Sequence, residues 1–401
     1  MGLEKQDSNL RSYMIAKVLA LGLIFLLAGP FGMTVPVAAN GDLSFHKIKV
    51  MTQNLYVGAD IFRPATAENL DEFYELLDET FLVIGSTNIS ERAHAMAKEV
   101  ALHRPHLIGL QEVYQIQRQD PDPLRALDLD YLGIFVQALE DLGLHYTPAG
   151  SVQNLNLTIP ILEDNTPVGS VTLVDQDVIL ARDDVIISDV SSVNYAAKLP
   201  VPLPPPLPSL EVPRGYVAVH ATIEGRTLFF VNTHLELRGK DLFPDGDPRI
   251  LIASRVQVAQ AQELLGSIKD EPGPVIVVGD FNSDPRDSVL IDPFLSQLLV
   301  PPYKQFSYSG YADLWLTNLL RLVNYHGYTC CQDEPLDNAV SALDERIDHI
   351  FYKPKGLSFP LVGPVLAVVV GDEPGDKTDT SPALWPSDHG GVVATKFILT
   401  F

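Results

Sequence analysis

The chain has 401 residues, 46% of them hydrophobic and only 20% charged, with a formal net charge of −23 at pH 7. That composition excludes an intrinsically disordered polymer and supports a large buried core, in one big domain or two ordinary ones. A body this acidic repels polyanions at long range, so any grip on a phosphate has to come from local cations or a bound metal; acidity by itself excludes no nuclease.

The first segment reads as an export signal. Lys5, Arg11 and Lys17 precede an apolar run from Val18 to Leu27, followed by Pro30 and the small residues Val37-Ala38-Ala39. Residues 1–39 are therefore expected to be a signal peptide cleaved after Ala39, giving a secreted or periplasmic protein. The alternative is an uncleaved anchor, since apolar character persists to Ala39 and nears the roughly 20 residues a bilayer span needs. Pro30, Thr34 and Pro36 interrupt that span.

Short runs rich in Val, Ile and Phe recur through the rest of the chain. Strands are expected at Lys47–Thr52, His106–Leu110, Val171–Leu180, Tyr216–Ile223, Thr227–Asn232, Val275–Val278, Arg346–Tyr352 and Gly391–Leu399. Helices are expected over Glu68–Ile84, Glu91–His103 and Arg249–Lys269, the last with an apolar face suited to covering a sheet. The stretch LPVPLPPPLPSLEVP, from Leu199 to Pro213, forbids helix and central strand and reads as a projecting connector, or as an apolar surface for lipid or a partner. Cys330 and Cys331 are the only cysteines and are adjacent; two small thiols are favoured over a vicinal disulfide. Trp315 and Trp385 read as packing residues.

Acidic, amide and imidazole residues recur just after strand-like runs, where side chains converge at one end of a sheet. They are Asn54 after KVMTQ, Glu112 in LIGLQEV, Asn232 and His234 in FFVNTHLE, Asp280 and Asn282 in VIVVGDFN, Asp348 in RIDHIFY, and Asp388 with His389 in PSDHGG. Each alone has a duller explanation as a turn cap or a hydrogen-bonded structural residue. The set is harder to dismiss.

The ordered series QE, NTH, GDFN, RIDHI and SDH resembles the endonuclease/exonuclease/phosphatase superfamily from about Lys47 to the C-terminus. The resemblance implies an α/β fold, a four-layer α/β/β/α sandwich of two packed mixed sheets flanked by helices, with residues 40–401 as the catalytic domain. It implies hydrolysis of a phosphodiester by in-line attack of water, assisted by Mg²⁺, with Mn²⁺ or Ca²⁺ as alternatives. Glu112, Asn54 and Asp388 then match the metal-holding positions. Asp280 matches the residue that orients or deprotonates the water, and His389 paired with Asp348 is either a general base or a cationic clamp. His234 matches a histidine touching a phosphate oxygen or the leaving group; Asp175 and Asp177 are candidates for its carboxylate partner. Asn282, Asn232 and Arg182 are expected to bind the phosphate.

A calcineurin-like metallophosphoesterase is disfavoured, because no GNH or GHxH segment follows GDFNSD. The alternative outside enzymology is a catalytically silent secreted binding protein on the same scaffold. The substrate stays open between nucleic acid and a phospholipid head group at a membrane surface. No obligate protein partner is indicated.

Overall fold

The run Val275-Ile-Val-Val-Gly-Asp280 is buried at every position. An unbroken apolar strand of this kind is covered on both faces, which places it at the middle of layered sheets rather than at a wet surface. The computed structural model describes residues 44–163, 166–321, 324–354 and 364–400. The chain divides into a unit of residues 1–44 with 401 and a unit of residues 45–400, and the architecture below belongs to the second. The expected signal segment, residues 1–39, lies outside the described residues.

In chain order the elements are strand β1 (Ser44–Asn54), helices α1 (Leu70–Ser86) and α2 (Ile89–His103), strands β2 (Leu107–Gln111), β3 (Gln115–Gln119) and β4 (Leu127–Asp130), helix α3 (Tyr131–Asp141), and the long hairpin β5 (Tyr146–Glu163) and β6 (Thr166–Arg182). Strand β7 (Ile186–Asn194) follows, then the short pair β8 (Leu199–Val201) and β9 (Leu210–Val212), then β10 (Gly215–Ile223) and β11 (Arg226–His234). One helical turn, α4 (Gly239–Leu242), leads into α5 (Arg249–Ile268), β12 (Val275–Asp280), a second short pair β13 (Leu290–Asp292) and β14 (Gln297–Leu299), and α6 (Pro302–Tyr308). Strands β15 (Ala312–Asp313), β16 (Asp348–Lys353), β17 (Val365–Val370) and β18 (Gly391–Thr400) end the chain.

One mixed sheet of eight strands runs β17-β18-β1-β2-β6-β3-β4, with β5 paired to β6; a second of six runs β15-β16-β12-β11-β10-β7. Between them lies an apolar layer built from both, including Val50, Leu107, Ile179, Val219, Phe230, Ile276, Ile350 and Ala394. Leu77, Phe81, Met96 and Phe135 of α1, α2 and α3 pack on the outer face of the first sheet. Ala261, Leu264 and Phe306 of α5 and α6 cover the second. The expected α/β/β/α layering is the observed one.

Both central strand pairs, β1 with β2 and β11 with β12, are parallel, so Asn54, Gln111, His234 and Asp280 end at one pole. The sheets lie close together at Gly109, where a side chain would meet Val278 Cγ2 at 2.5 Å and Asn232 Oδ1 at 2.6 Å. Only glycine leaves room there for a polar residue between the sheets.

The proline-rich stretch does not project. Leu199, Val201 and Val212 of the β8–β9 hairpin are buried against Ala253 of α5, with Phe62 and Ala65 packed alongside. Its alternating apolar residues found a face to bury, and the prolines merely stiffen the link between its two strands. Cys330 and Cys331, expected as thiols, are joined to each other as a vicinal disulfide. Trp315 and Trp385 are buried in the core.

Candidate active site

Six of the site residues are delivered by strand ends or the turns immediately after them. Asn54 closes β1, and its amide nitrogen bonds both Glu112 Oε1 at 3.0 Å and Asp280 Oδ2 at 3.2 Å. Glu112 follows β2 with φ 55, a left-handed backbone that costs a non-glycine residue of order 1 kcal/mol and turns its carboxylate back toward Asn54. Its second oxygen accepts from the Val57 amide at 2.8 Å. Asn282 is likewise left-handed, with φ 47, and its amide N–H donates to Asp280 Oδ1 at 2.8 Å. That turn sets the GDFN carboxylate and amide side by side.

The second half of the centre comes from the last third of the chain. His389 Nδ1 lies 2.8 Å from Asp348 Oδ2, while its Nε2 faces Asp280 Oδ2 at 3.8 Å and Asp388 Oδ1 at 3.9 Å. Burial alone would lower the His389 pKa, but Asp348, Asp388 and Asp280 outweigh it and hold the ring well above its ordinary value, as an imidazolium. Thr329 Oγ1 accepts from the amides of Ile347 and Asp348, and the carbonyl of Thr329 accepts from Gly390. One short segment thereby ties RIDHI to SDHGG.

His234 sits in a different field. Its Nδ1 is 3.1 Å from Arg214 Nη1, and a guanidinium only donates, so Nδ1 accepts and Nε2 carries the ring proton. Burial first, and then Arg214 and His389, push the His234 pKa well below its usual range and keep the ring neutral. The Nε2–H therefore stands 3.2 Å from the Asn282 amide nitrogen, a second donor, with Asp280 Oδ2 at 3.4 Å as an acceptor. Asn282 Nδ2 spends one hydrogen on the Leu235 carbonyl at 2.9 Å, and its second hydrogen and the His234 Nε2–H suit one oxygen anion placed between them.

The carboxylate directly beside His234 is Asp280, on the Nε2 side; on the Nδ1 side the carboxylates are one step removed, behind Arg214. Asp175 lies 3.5 Å from Arg214 Nη1 and Glu236 lies 3.8 Å from its Nη2, whereas Asp177 is held by Asn154. Arg214 was not visible in the sequence as a site residue, because it precedes β10 and meets His234 only through the antiparallel register that pairs Gly215 with His234. Arg92 was missed for a similar reason. It is wholly buried in α2 and donates to the carbonyls of Thr87, Leu55, Tyr56 and Pro386, clamping the loop after Asn54 to the loop before Asp388.

Two expected phosphate ligands are corrected. Asn232 spends both amide hydrogens on the carbonyls of Leu110 and Val178, at 2.8 and 3.0 Å, and its oxygen accepts from Gln111 at 2.6 Å. It is a buried bridge between the sheets beneath the site, with no donor left over. Arg182 ends β6 at the opposite pole, because β6 runs antiparallel to β2 and places it beside the start of that strand. There it pairs with Asp184 at 2.6 and 2.7 Å and donates to the Arg104 carbonyl.

A divalent cation fits the donor set that remains. Three carboxylates, Asp280, Asp348 and Asp388, surround one imidazolium, Glu112 is joined to Asp280 through the Asn54 amide, and Asp348 Oδ1 is buried without a hydrogen-bond partner. Burial and the neighbouring carboxylates, Asp348 for Asp280 and Glu112 for Asp388, push both acids up to about 7 despite His389, as expected where negative charge is undercompensated. Asp280, Asp348 and His389 also lie within ligating distance of one another. An imidazolium bonded to a carboxylate is a poor ligand, however, so the Glu112, Asn54 and Asp388 side suits a hard cation better.

The sequence matches the Endonuclease/Exonuclease/phosphatase family over residues 51–389. No curated protein matches it. Among solved structures, an endonuclease/exonuclease/phosphatase family protein from Bacteroides thetaiotaomicron is similar at 18% identity and TM-score 0.50, covering 88% of this chain and 99% of its own. A mannosyl-6-phosphatase from the same species aligns at 18% identity and TM-score 0.46 over 88% of this chain and 100% of its own. Truncated TDP2 from Caenorhabditis elegans aligns at 14% identity and TM-score 0.45 over 88% and 98%. On the strength of the family match across most of its length, the chain belongs to the endonuclease/exonuclease/phosphatase family.

Proposed function

We propose that this protein is an exported, Mg²⁺-dependent phosphoesterase that cleaves a phosphodiester by in-line attack of water. The observation that carries this reading is the donor pair of His234 Nε2 and Asn282 Nδ2, 3.2 Å apart, facing the imidazolium of His389 across the Asp280 carboxylate. Those groups suit a phosphate: three cationic or neutral donors for its oxygens and one carboxylate for the nucleophile. Asp280 orients the water and takes its proton as the water oxygen bonds to phosphorus and the bond to the leaving oxygen breaks. His389, held by Asp348, stays charged and acts as the clamp on the equatorial oxygens rather than as the base. Glu112, Asn54 and Asp388 would hold the Mg²⁺, which supplies charge neutralisation at the phosphoryl oxygens. Export rests on the basic, apolar and small-residue order of residues 1–39 alone.

The test is hydrolysis of bis(4-nitrophenyl) phosphate by purified protein lacking residues 1–39. EDTA should abolish turnover and added Mg²⁺ should restore it. Turnover that survives exhaustive chelation would remove the metal from the account.

A further inference from the structure

Asp348 gives His389 one oxygen and leaves the other in the core. Oδ2 lies 2.8 Å from His389 Nδ1, whereas Oδ1 is buried with no hydrogen-bond partner among the described residues. A carboxylate oxygen orphaned in an apolar interior is costly, and native folds supply it with a donor. A matching orphan stands nearby. Trp315 Nε1 is buried with no acceptor among the described residues, and an indole N–H can only donate. Trp315 and Asp348 line one cavity of about 10 Å³, together with Asp313, Arg346 and the apolar side chains of Ile350 and Val392. That is about the room one water needs.

The cavity is built rather than left over. Asp313 Oδ2 pairs with Arg346 Nη2 at 2.8 Å and accepts from the Tyr303 hydroxyl at 2.9 Å, while its Oδ1 accepts the Trp315 amide at 2.9 Å. That acid is already satisfied, and it fixes the backbone of the tryptophan. The Leu314 amide donates to the Ile350 carbonyl at 3.0 Å, which holds the same segment against β16, the strand that Asp348 opens. From the other side, Gly327 has φ 62, and a side chain there would meet Trp315 Cε2 at 2.2 Å and Nε1 at 2.7 Å. Only glycine lets the backbone lie on the nitrogen-bearing edge of the indole in that conformation. Two residues on, Thr329 Oγ1 accepts the amide of Asp348 at 3.2 Å. One loop therefore covers the indole and anchors the aspartate.

We propose that Trp315 is a positioning residue for the His389–Asp348 pair: one buried water accepts from its Nε1–H and donates to Asp348 Oδ1, so that Oδ2 stays on His389 Nδ1. Asp313 and Arg346 supply the further polar partners that a buried water uses. A metal ion does not suit the same cavity, because the Arg346 guanidinium and an indole N–H line it and the room is that of one water. Trp315 thus acts on catalysis without touching substrate, by restricting the carboxylate that keeps His389 charged and oriented. The catalytic half of the proposal rests on the phosphoesterase reading above; the water bridge does not.

The test uses the purified protein with isotope-labelled tryptophan, whose two indole signals come from Trp315 and Trp385. Rotating-frame cross-relaxation should link the Trp315 Nε1–H to a bound water. Asp348→Asn should weaken that link and move the signal, leaving that of Trp385 in place. In hydrolysis of bis(4-nitrophenyl) phosphate, Trp315→Phe keeps an aromatic ring and removes the N–H; it should lower kcat about fivefold with KM within about twofold. That loss should vanish in the Asp348→Asn background, and Mn²⁺ affinity should be the same with or without the indole. No bound water at the indole, a kcat loss that persists in full once Asp348 is replaced, or weakened Mn²⁺ binding in Trp315→Phe would each overturn the proposal. Should Trp315→Phe fail to fold, the indole–water link and its response to Asp348→Asn decide alone. A protein that shows the link but hydrolyses no diester keeps the bridge and defeats the phosphoesterase reading instead.

Discussion

At one pole of the packed sheets, β1, β2, β11 and β12 end in Asn54, Glu112, His234 and Asp280; at the other, β2 and β6 bring His106 and Arg182 together beside Arg104 and Asp184. The two poles are separated by about six strand residues, roughly 20 Å. Both carry charged and imidazole residues at strand ends. At the second pole those charges close on each other: Arg182 is bidentate to Asp184, and His106 Nδ1 accepts from the Lys49 amide at 3.0 Å. At the first they do not, because three carboxylates share one imidazolium and two donors face each other. A site is marked by the mismatch that remains after local pairing, and residue type at a strand end is insufficient.

The sharpest way to break this comparison is to alter each pole in turn. Asp280→Asn and His389→Ala should each lower kcat on a phosphodiester by about 10³-fold or more, with circular dichroism unchanged. Arg182→Ala should leave kcat within about twofold. Equal losses from the two poles would erase the distinction.

A smaller effect separates the site from its support. Asn232→Ala removes the amide that satisfies Leu110, Val178 and Gln111 between the sheets, and should cost roughly 2–4 kcal/mol of stability in urea denaturation. Unchanged stability with lost turnover would return Asn232 to the phosphate-binding set.

The strands and helices could be read from the chain because apolar periodicity reports burial directly, whereas the four-layer arrangement was what the motif resemblance implied. The strands around Val275–Val278 and Thr227–Asn232, and the helices over Glu91–His103 and Arg249–Lys269, fall within a few residues of the observed elements. What escaped depended on partners. The length of the β5–β6 hairpin was hidden because half of it alternates with polar residues at the sheet edge. Arg182 looked like a phosphate ligand because its motif ends a strand, yet the antiparallel direction of β6 sends it to the wrong pole. Arg214 and Arg92 act through register and burial, which no spacing along the chain reveals. The proline-rich stretch was read by its backbone limits, whereas the burial of its Leu and Val residues decided where it lies. The motif residues of the centre were accessible for the opposite reason. Each sits within three residues of a strand end, and the ordered set of motifs, which strand-end position by itself does not supply, marked them out together.

The measurement that bears most directly on the central claim is equilibrium Mn²⁺ binding, followed by electron paramagnetic resonance, for the unaltered protein and for Glu112→Gln, Asp388→Asn and Arg182→Ala. Binding should weaken by about 10-fold or more in the first two variants and be unchanged in the third. A protein that takes up no Mn²⁺, or one whose four forms bind it equally, would contradict the account.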